Sequence, residues 1–272
     1  FGTDDYIKKY ELIKIDTYPA FSHVDVMDQN EFERESMIVG SRTMSREDYK
    51  KTSLYRWIFM FAHYLGYTQY IARFISNYKN ISYKSFYTDF MNFCENSTES
   101  NFLKKEISET DKSLSIFLSS KGPMGRVLDK IRPNFAWDYE EATAINIVES
   151  KDIFYTEVKS FLKNYDVDEE IVDDLIEYQK DTIIDPTNKY PLKKTYNYNF
   201  YEMINYSAKL KKKSQTYLIE GKNYNADIFE WGKETLWWGR RVAACKAKIK
   251  NINKSAMTYN VTEINPEIFD KR

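Results

Sequence analysis

Apolar residues between Tyr49 and Leu65 recur at intervals of three and four. Leu54, Trp57, Ile58, Phe61, Tyr64 and Leu65 form one stripe, which predicts a helix burying a single face. Its start is marked by Ser45, with the helix opening at Arg46 and Asp48 at the reciprocal capping-box position, and its end by Gly66. Just upstream, Met37-Ile38-Val39 reads as a strand that stops at Gly40. A strand therefore hands over to a helix through a short polar turn.

The same periodicity continues. A second helix is predicted over Thr68 to Asn77, a third capped by Ser82, and a fourth from Glu99 to Leu118 that Gly122-Pro123 ends. A short helix over Met124 to Ile131 follows. Asp138 or Trp137 opens a helix leading to Val148, Ile153 to Leu162 carries another, and Asp166 or Asp168 caps Glu169 to Thr182. Ahead of this series, Thr3 to Tyr10 reads as a short helix and Glu11 to Thr17 as a strand ended by Pro19; the next segment crosses without period to the Met37 strand. Beyond the Pro186 to Pro191 loop, Leu192 to Tyr198 and Gln215 to Glu220 read as short strands around a helical FYEMI. Ala226 to Ile249, if helical, puts Phe229, Gly232, Lys233, Leu236 and Arg240 on one face and Trp231, Thr235 and Trp238 on another. The expected fold is mainly α. Residues 43–272 form a multi-helix domain with a small two-stranded element near the C-terminus, and residues 1–42 are the trailing edge of an α/β domain.

Composition narrows the function. At 272 residues and 42% hydrophobic content the chain can bury one sizeable core, alone or with an appendage. A net charge of -1 argues against binding polyanions by bulk charge, and no run of eighteen apolar residues spans a bilayer, so a soluble protein is expected, and two cysteines far apart in sequence make a reducing cytoplasm the simpler assumption. Its two cysteines, Cys94 and Cys245, fit no metal-binding spacing. Scarce Gly (8) and Pro (6) suit long helices, although the abundance of Lys, Tyr, Asn and Ile also fits an AT-rich genome. Residues 138 to 185 hold fifteen acids against four lysines, read as a solvated outer face, whereas residues 207 to 254 hold twelve cations against four acids. The plainest use of these opposite signs is attraction within the fold. Phe1-Gly2-Thr3 reads as the interior of a longer protein.

No Gly-rich phosphate loop, Gly-flanked nucleophilic serine or His-rich metal spacing occurs, so the chain is expected to catalyse nothing by itself. His23 lies in the irregular crossing, where a site loop is conceivable and a surface histidine is the plainer reading. His63 sits on an aromatic helix face and reads as a packing residue.

Three stretches carry a resemblance: MIVGSRTMSREDY (Met37 to Tyr49) with its aromatic helix, IVDDLIEYQK (Ile171 to Lys180) before the Pro186 loop, and Trp238-Gly239-Arg240. In this order they resemble landmarks of the C-terminal region of cobalamin-binding radical SAM enzymes, over most of the chain. The resemblance implies a larger enzyme, methyltransferase-like, whose cobalamin domain and catalytic barrel lie upstream. Its 4Fe-4S cluster, S-adenosylmethionine and cobalamin would be held there and none by this chain, which lacks the three clustered cysteines. Residues 1–42 would be the last part of the barrel and its exit. The helical domain would pack on the barrel's open end, helping to enclose a small-molecule substrate and keep water from a radical intermediate. Candidate substrate contacts are then His23 and Arg42 near the junction and the late Trp237, Trp238, Arg240 and Arg241. Paired arginines suit a carboxylate or phosphate; the other reading is a salt-bridged helix end, and for the tryptophans core packing. Two competing readings remain. The basic, aromatic C-terminal third has the ingredients of a single-strand nucleic-acid platform, against which the overall charge speaks, and the helices alone would serve as a protein-docking scaffold.

Overall fold

A computed structural model describes residues 3–17, 34–133, 135–184, 186–224, 227–236 and 247–251. Its order begins with α1 (Asp4–Tyr10), β1 (Ile13–Thr17), β2 (Glu35–Gly40) and α2 (Arg46–Ile58). The strands pair antiparallel, Ile13 opposite Gly40 and Thr17 opposite Glu35. This ribbon turns only Ile15, Thr17, Val39 and Gly40 inward, and β2 packs on α2. At the head of α2 the expected capping box is formed: the Asp48 amide donates to Ser45 Oγ at 3.0 Å and the Ser45 amide to the Asp48 carboxylate at 3.1 Å.

Past Ile58 the helix continues as a π-helical segment, Phe59–Tyr64, in which the Leu65 amide reaches the Met60 carbonyl at 2.8 Å. Gly66, at φ +99°, ends it in a conformation that residues with a Cβ rarely adopt. Then come α3 (Gln69–Lys79), α4 (Tyr83–Asn96), capped by Ser82, and α5 (Asn101–Leu118). The predicted stripe is the buried face: Leu54, Trp57, Ile58, Phe61 and Leu65 are all buried, Tyr64 half so.

No helix forms over Met124 to Ile131. Instead β3 (Arg126–Val127) pairs antiparallel with β4 (Ala136–Trp137). Gly125, at φ +149°, sits so close to the Trp137 carbonyl that a Cβ would come within 2.3 Å of its oxygen. The chain there must bend as a ladder. Next are α6 (Tyr139–Glu149), α7 (Lys151–Leu162), a 3-10 turn (Lys163–Tyr165) and α8 (Glu169–Asp181). Aromatic rings fill the space between the helices: Phe161 of α7 lies 5.3 Å from Phe86 and 5.0 Å from Phe90, both near edge-on.

On the far side of α8 the chain forms β5 (Leu192–Tyr198), α9 (Phe200–Tyr206), β6 (Lys212–Glu220), α10 (Ile228–Thr235) and β7 (Lys248–Asn251). The small C-terminal sheet is therefore present, and it has a third strand: β5, β6 and β7 are consecutive and antiparallel. The helical reading of residues 226–249 holds for α10 and gives way to β7, whose Lys248 and Lys250 point outward while Ile249 is buried. That alternation is the two-residue period of a strand. Asp174 of α8 accepts from the amides of Asn197 (2.7 Å) and Tyr198 (3.2 Å), covering the outer edge of β5.

The two charge blocks meet at the surface, where Lys212 pairs with Glu170 at 2.5 Å, and Lys194, upstream of the basic block, pairs with Asp181 at 3.1 Å. The acidic block is not wholly a solvated face, however. Asp152, Glu169, Asp173 and Glu177 are exposed, whereas Glu140, Glu141, Glu157 and Asp181 are buried. Glu157 shows why: its carboxylate accepts from the Phe102 (2.6 Å) and Leu103 (2.9 Å) amides, satisfying the free N-terminal donors of α5 from a different helix.

Candidate functional site

Where α2, α5 and α6 meet, a buried polar cluster lies beneath a small cleft. Glu106 of α5, 2% exposed, accepts from Arg126 Nη1 (2.7 Å), Thr143 Oγ1 (2.9 Å) and Asn146 Nδ2 (2.9 Å). Trp57 Nε1 donates to Thr143 Oγ1 at 3.0 Å, tying α2 into the set. With the charge of Glu106 matched by Arg126 and both its oxygens accepting, the cluster fixes how the three helices register.

Above it, the cleft is lined by Tyr49, Ser53, Arg56 and Trp57 of α2, Leu114 and Phe117 of α5, Met124, and Tyr139 and Glu140 of α6. Tyr49 closes the stretch that carries the resemblance. Glu140 is 4% exposed, and its nearest cation, Arg56, approaches only to 3.8 Å, beyond hydrogen-bond reach. Burial, followed by the neighbouring Asp138 charge, raises the Glu140 carboxyl from 4.5 to about 7 against the opposing pull of Arg56. The Tyr139 hydroxyl, also buried, closes no hydrogen bond, although the Gly125 backbone lies near enough to favour its ionised form; burial dominates and raises it well above the ordinary value. A perturbed carboxyl beside a phenol and a guanidinium is an arrangement suited to binding a polar group or moving a proton.

A folded carboxyl at about 7 against 4.5 in the open chain binds its proton more tightly when folded. The stability it lends is complete below the lower value and is lost as pH rises through the upper one. Glu140→Gln is therefore expected to be neutral at about pH 4.5 and to stabilise by about 1–3 kcal/mol at about pH 8, read from urea midpoints across that range.

Of the residues proposed from sequence, Arg42 alone is described. It is exposed, in the turn from β2 to α2, with its amide donating to the Tyr10 carbonyl at 3.0 Å. No contact brings it to the cleft. His23, Trp237, Trp238, Arg240 and Arg241, like Cys245, lie outside the described residues. Cys94 is a buried free thiol, its ionisation pushed up by burial. His63 packs as its aromatic surroundings suggested, stacked on Phe59 at 5.0 Å with Nδ1 3.0 Å from the Tyr87 hydroxyl. Among the described residues no group of His, Cys, Asp and Glu is placed to hold a metal, and no described helix is long and apolar enough to cross a membrane. Two cysteines in the whole chain fall short of the three that the resembling family uses for its cluster, so these residues do not fit that group.

A second, open cleft of about 360 Å³ lies between the end of α3 and the α9–β6 turn, lined by Asn77, Tyr78, Met203, Ser207 and Lys209 among others. It has no buried charged residue and offers less chemistry than the Glu140 cleft. No protein-family model matches the sequence, and no curated protein gives a significant match.

Proposed function

We propose that this chain is the helical C-terminal domain of a cobalamin-dependent radical SAM enzyme, methyltransferase-like, which packs on the catalytic barrel and helps enclose a small-molecule substrate without itself being catalytic. The observation that carries the reading is a small exposed apolar patch at the α2 end of the N-terminal ribbon, whose outer face otherwise carries Lys14, Asp16 and Ser36. Tyr10, Ile13, Ile38 and Met44 are each 37–39% exposed. They cluster around one turn: Ile13 packs on Gly40, and the Ser41 amide binds the Met44 carbonyl at 2.7 Å. A two-stranded ribbon is marginal alone, and this one rests on α2 by its inner face, leaving the apolar patch to a partner. Because β1 and β2 pair antiparallel, the ribbon joins a parallel barrel as a flange on its rim. A second support is that the IVDDLIEYQK stretch packs on the end of the aromatic helix and the start of α3: Gln179 Nε2 donates to the Gly66 carbonyl at 2.9 Å and its Oε1 accepts from the Tyr70 amide at 2.9 Å.

A nucleic-acid platform is disfavoured, because Lys212, Lys222, Lys233 and Lys250 of the basic third each pair with a carboxylate. The test is Ile38→Asp in the whole enzyme, with Ile153→Asp, on the exposed outer face of α7, as control. Limited proteolysis is expected to release the helical domain about tenfold faster from the first variant and at the unaltered rate from the second. Equal rates in both would count against the reading.

A further inference from the structure

The Glu140 cleft is smaller than its lining suggests. The space inside is about 20 Å³, which holds one water-sized group and no more. Its one charged acceptor is the Glu140 carboxylate, which is 4% exposed and makes no hydrogen bond to another side chain; the Tyr139 hydroxyl is closed off from the cleft, against the Gly125 backbone. Around Glu140 stand the rings of Tyr49, Trp57, Phe117 and Tyr139. A desolvated carboxylate among aromatic walls is complementary to an organic cation, through a charge-assisted hydrogen bond at about 2.7–2.9 Å and through the rings. Arg56 occupies this role only loosely, at 3.8 Å with its side chain 54% exposed.

We infer that this cleft is a binding site for a primary ammonium group, held by the Glu140 carboxylate among the surrounding rings, with the rest of the ligand outside the cleft. The available space selects the head group: an –NH3 head is water-sized, whereas a trimethylated one is several times larger and is excluded. The same chemistry is offered by a small amine and by a lysine side chain of a polypeptide. The site rests on its own geometry and stands whether or not the domain covers a barrel.

The charged and titratable groups facing Glu140 are Arg56 and Tyr49 from α2 and Asp138, Tyr139 and Glu141 from α6; the α5 side is apolar, Leu114 and Phe117. Because ammonium binding needs the ionised carboxylate, affinity rises between about pH 6 and about pH 8, where Glu140 titrates.

The experiment is calorimetric titration of the purified protein with methylammonium, n-butylammonium and Nα-acetyl-lysine amide, against tetramethylammonium at matched ionic strength. Saturable binding of the primary amines is expected, weakened about tenfold or more in Glu140→Gln and strengthened in Arg56→Gln, which removes the competing cation. Tighter butylammonium assigns the site to small amines, tighter acetyl-lysine amide to a lysine side chain, and either supports it. Both variants are checked for cooperative unfolding first. Absence of saturable binding, tetramethylammonium binding as well as methylammonium, or an undiminished Glu140→Gln would overturn it, leaving a cleft that holds only water.

Discussion

Arg126→Ala is expected to destabilise the protein by about 3–5 kcal/mol, the range for removing one partner of a buried ion pair and stranding the other. Glu106 would keep Thr143 and Asn146 as donors, but its charge would sit unmatched at 2% exposure. The pair itself need not be strongly stabilising: replacing both members, Glu106→Leu with Arg126→Met, avoids the desolvation that the ions must overcome and is expected to recover part of the loss, the remainder coming from Thr143 and Asn146, which lose their acceptor. Urea unfolding of the singles and the double decides it, read as a shift in midpoint at constant slope. A double as unstable as Arg126→Ala would mean that the cluster determines packing in a way apolar volume cannot replace.

Gln179→Leu is the second large effect. Its amide serves both directions at once, accepting from Tyr70 and Ile71 (2.9 and 3.4 Å) at the start of α3 and donating to the Gly66 carbonyl (2.9 Å) and Thr182 Oγ1 (3.2 Å). Leucine fills the volume, strands the Tyr70 and Ile71 amides and leaves the Gly66 carbonyl with only the longer bond from the Gln69 amide (3.3 Å), for an expected loss of about 2–4 kcal/mol. Gln179→Glu retains the acceptors and loses the donor, so it should disrupt the Gly66 end more than the α3 end. Amide exchange at Tyr70 and Ile71, faster in Gln179→Leu than in Gln179→Glu, would show that separation.

Local signals were legible and long-range ones were not. Ser45 with Asp48, Ser82 and Gly66 are read from a few neighbouring residues, and each is found in its expected place. Asp138 likewise opens α6 in a capping box with Glu141. Glu157, Gln179 and Glu106 act on backbones or side chains 20 to 113 residues away, and their own helices give no hint that a polar residue turns inward. The Met124 to Ile131 segment has apolar residues at helical spacing, but Arg126 is drawn into the core by Glu106 and Gly125 bends at positive φ, so tertiary contacts override the local pattern. β7 was hidden for a related reason: four residues are too few to show a period until β6 supplies their partner. The Glu140 cleft was concealed by its neighbours. In an acid-rich stretch a carboxylate at the head of a helix looks solvated, and only the packing of α2 over α6 removes it from water.

We propose that these helices cover a larger catalyst whose iron ligands lie elsewhere. Sequencing the transcript upstream of the Phe1 codon tests it most directly. A CxxxCxxC segment in the same frame, preceded by a cobalamin-type α/β domain, is the predicted result; an initiator methionine within a few codons of Phe1 would contradict it.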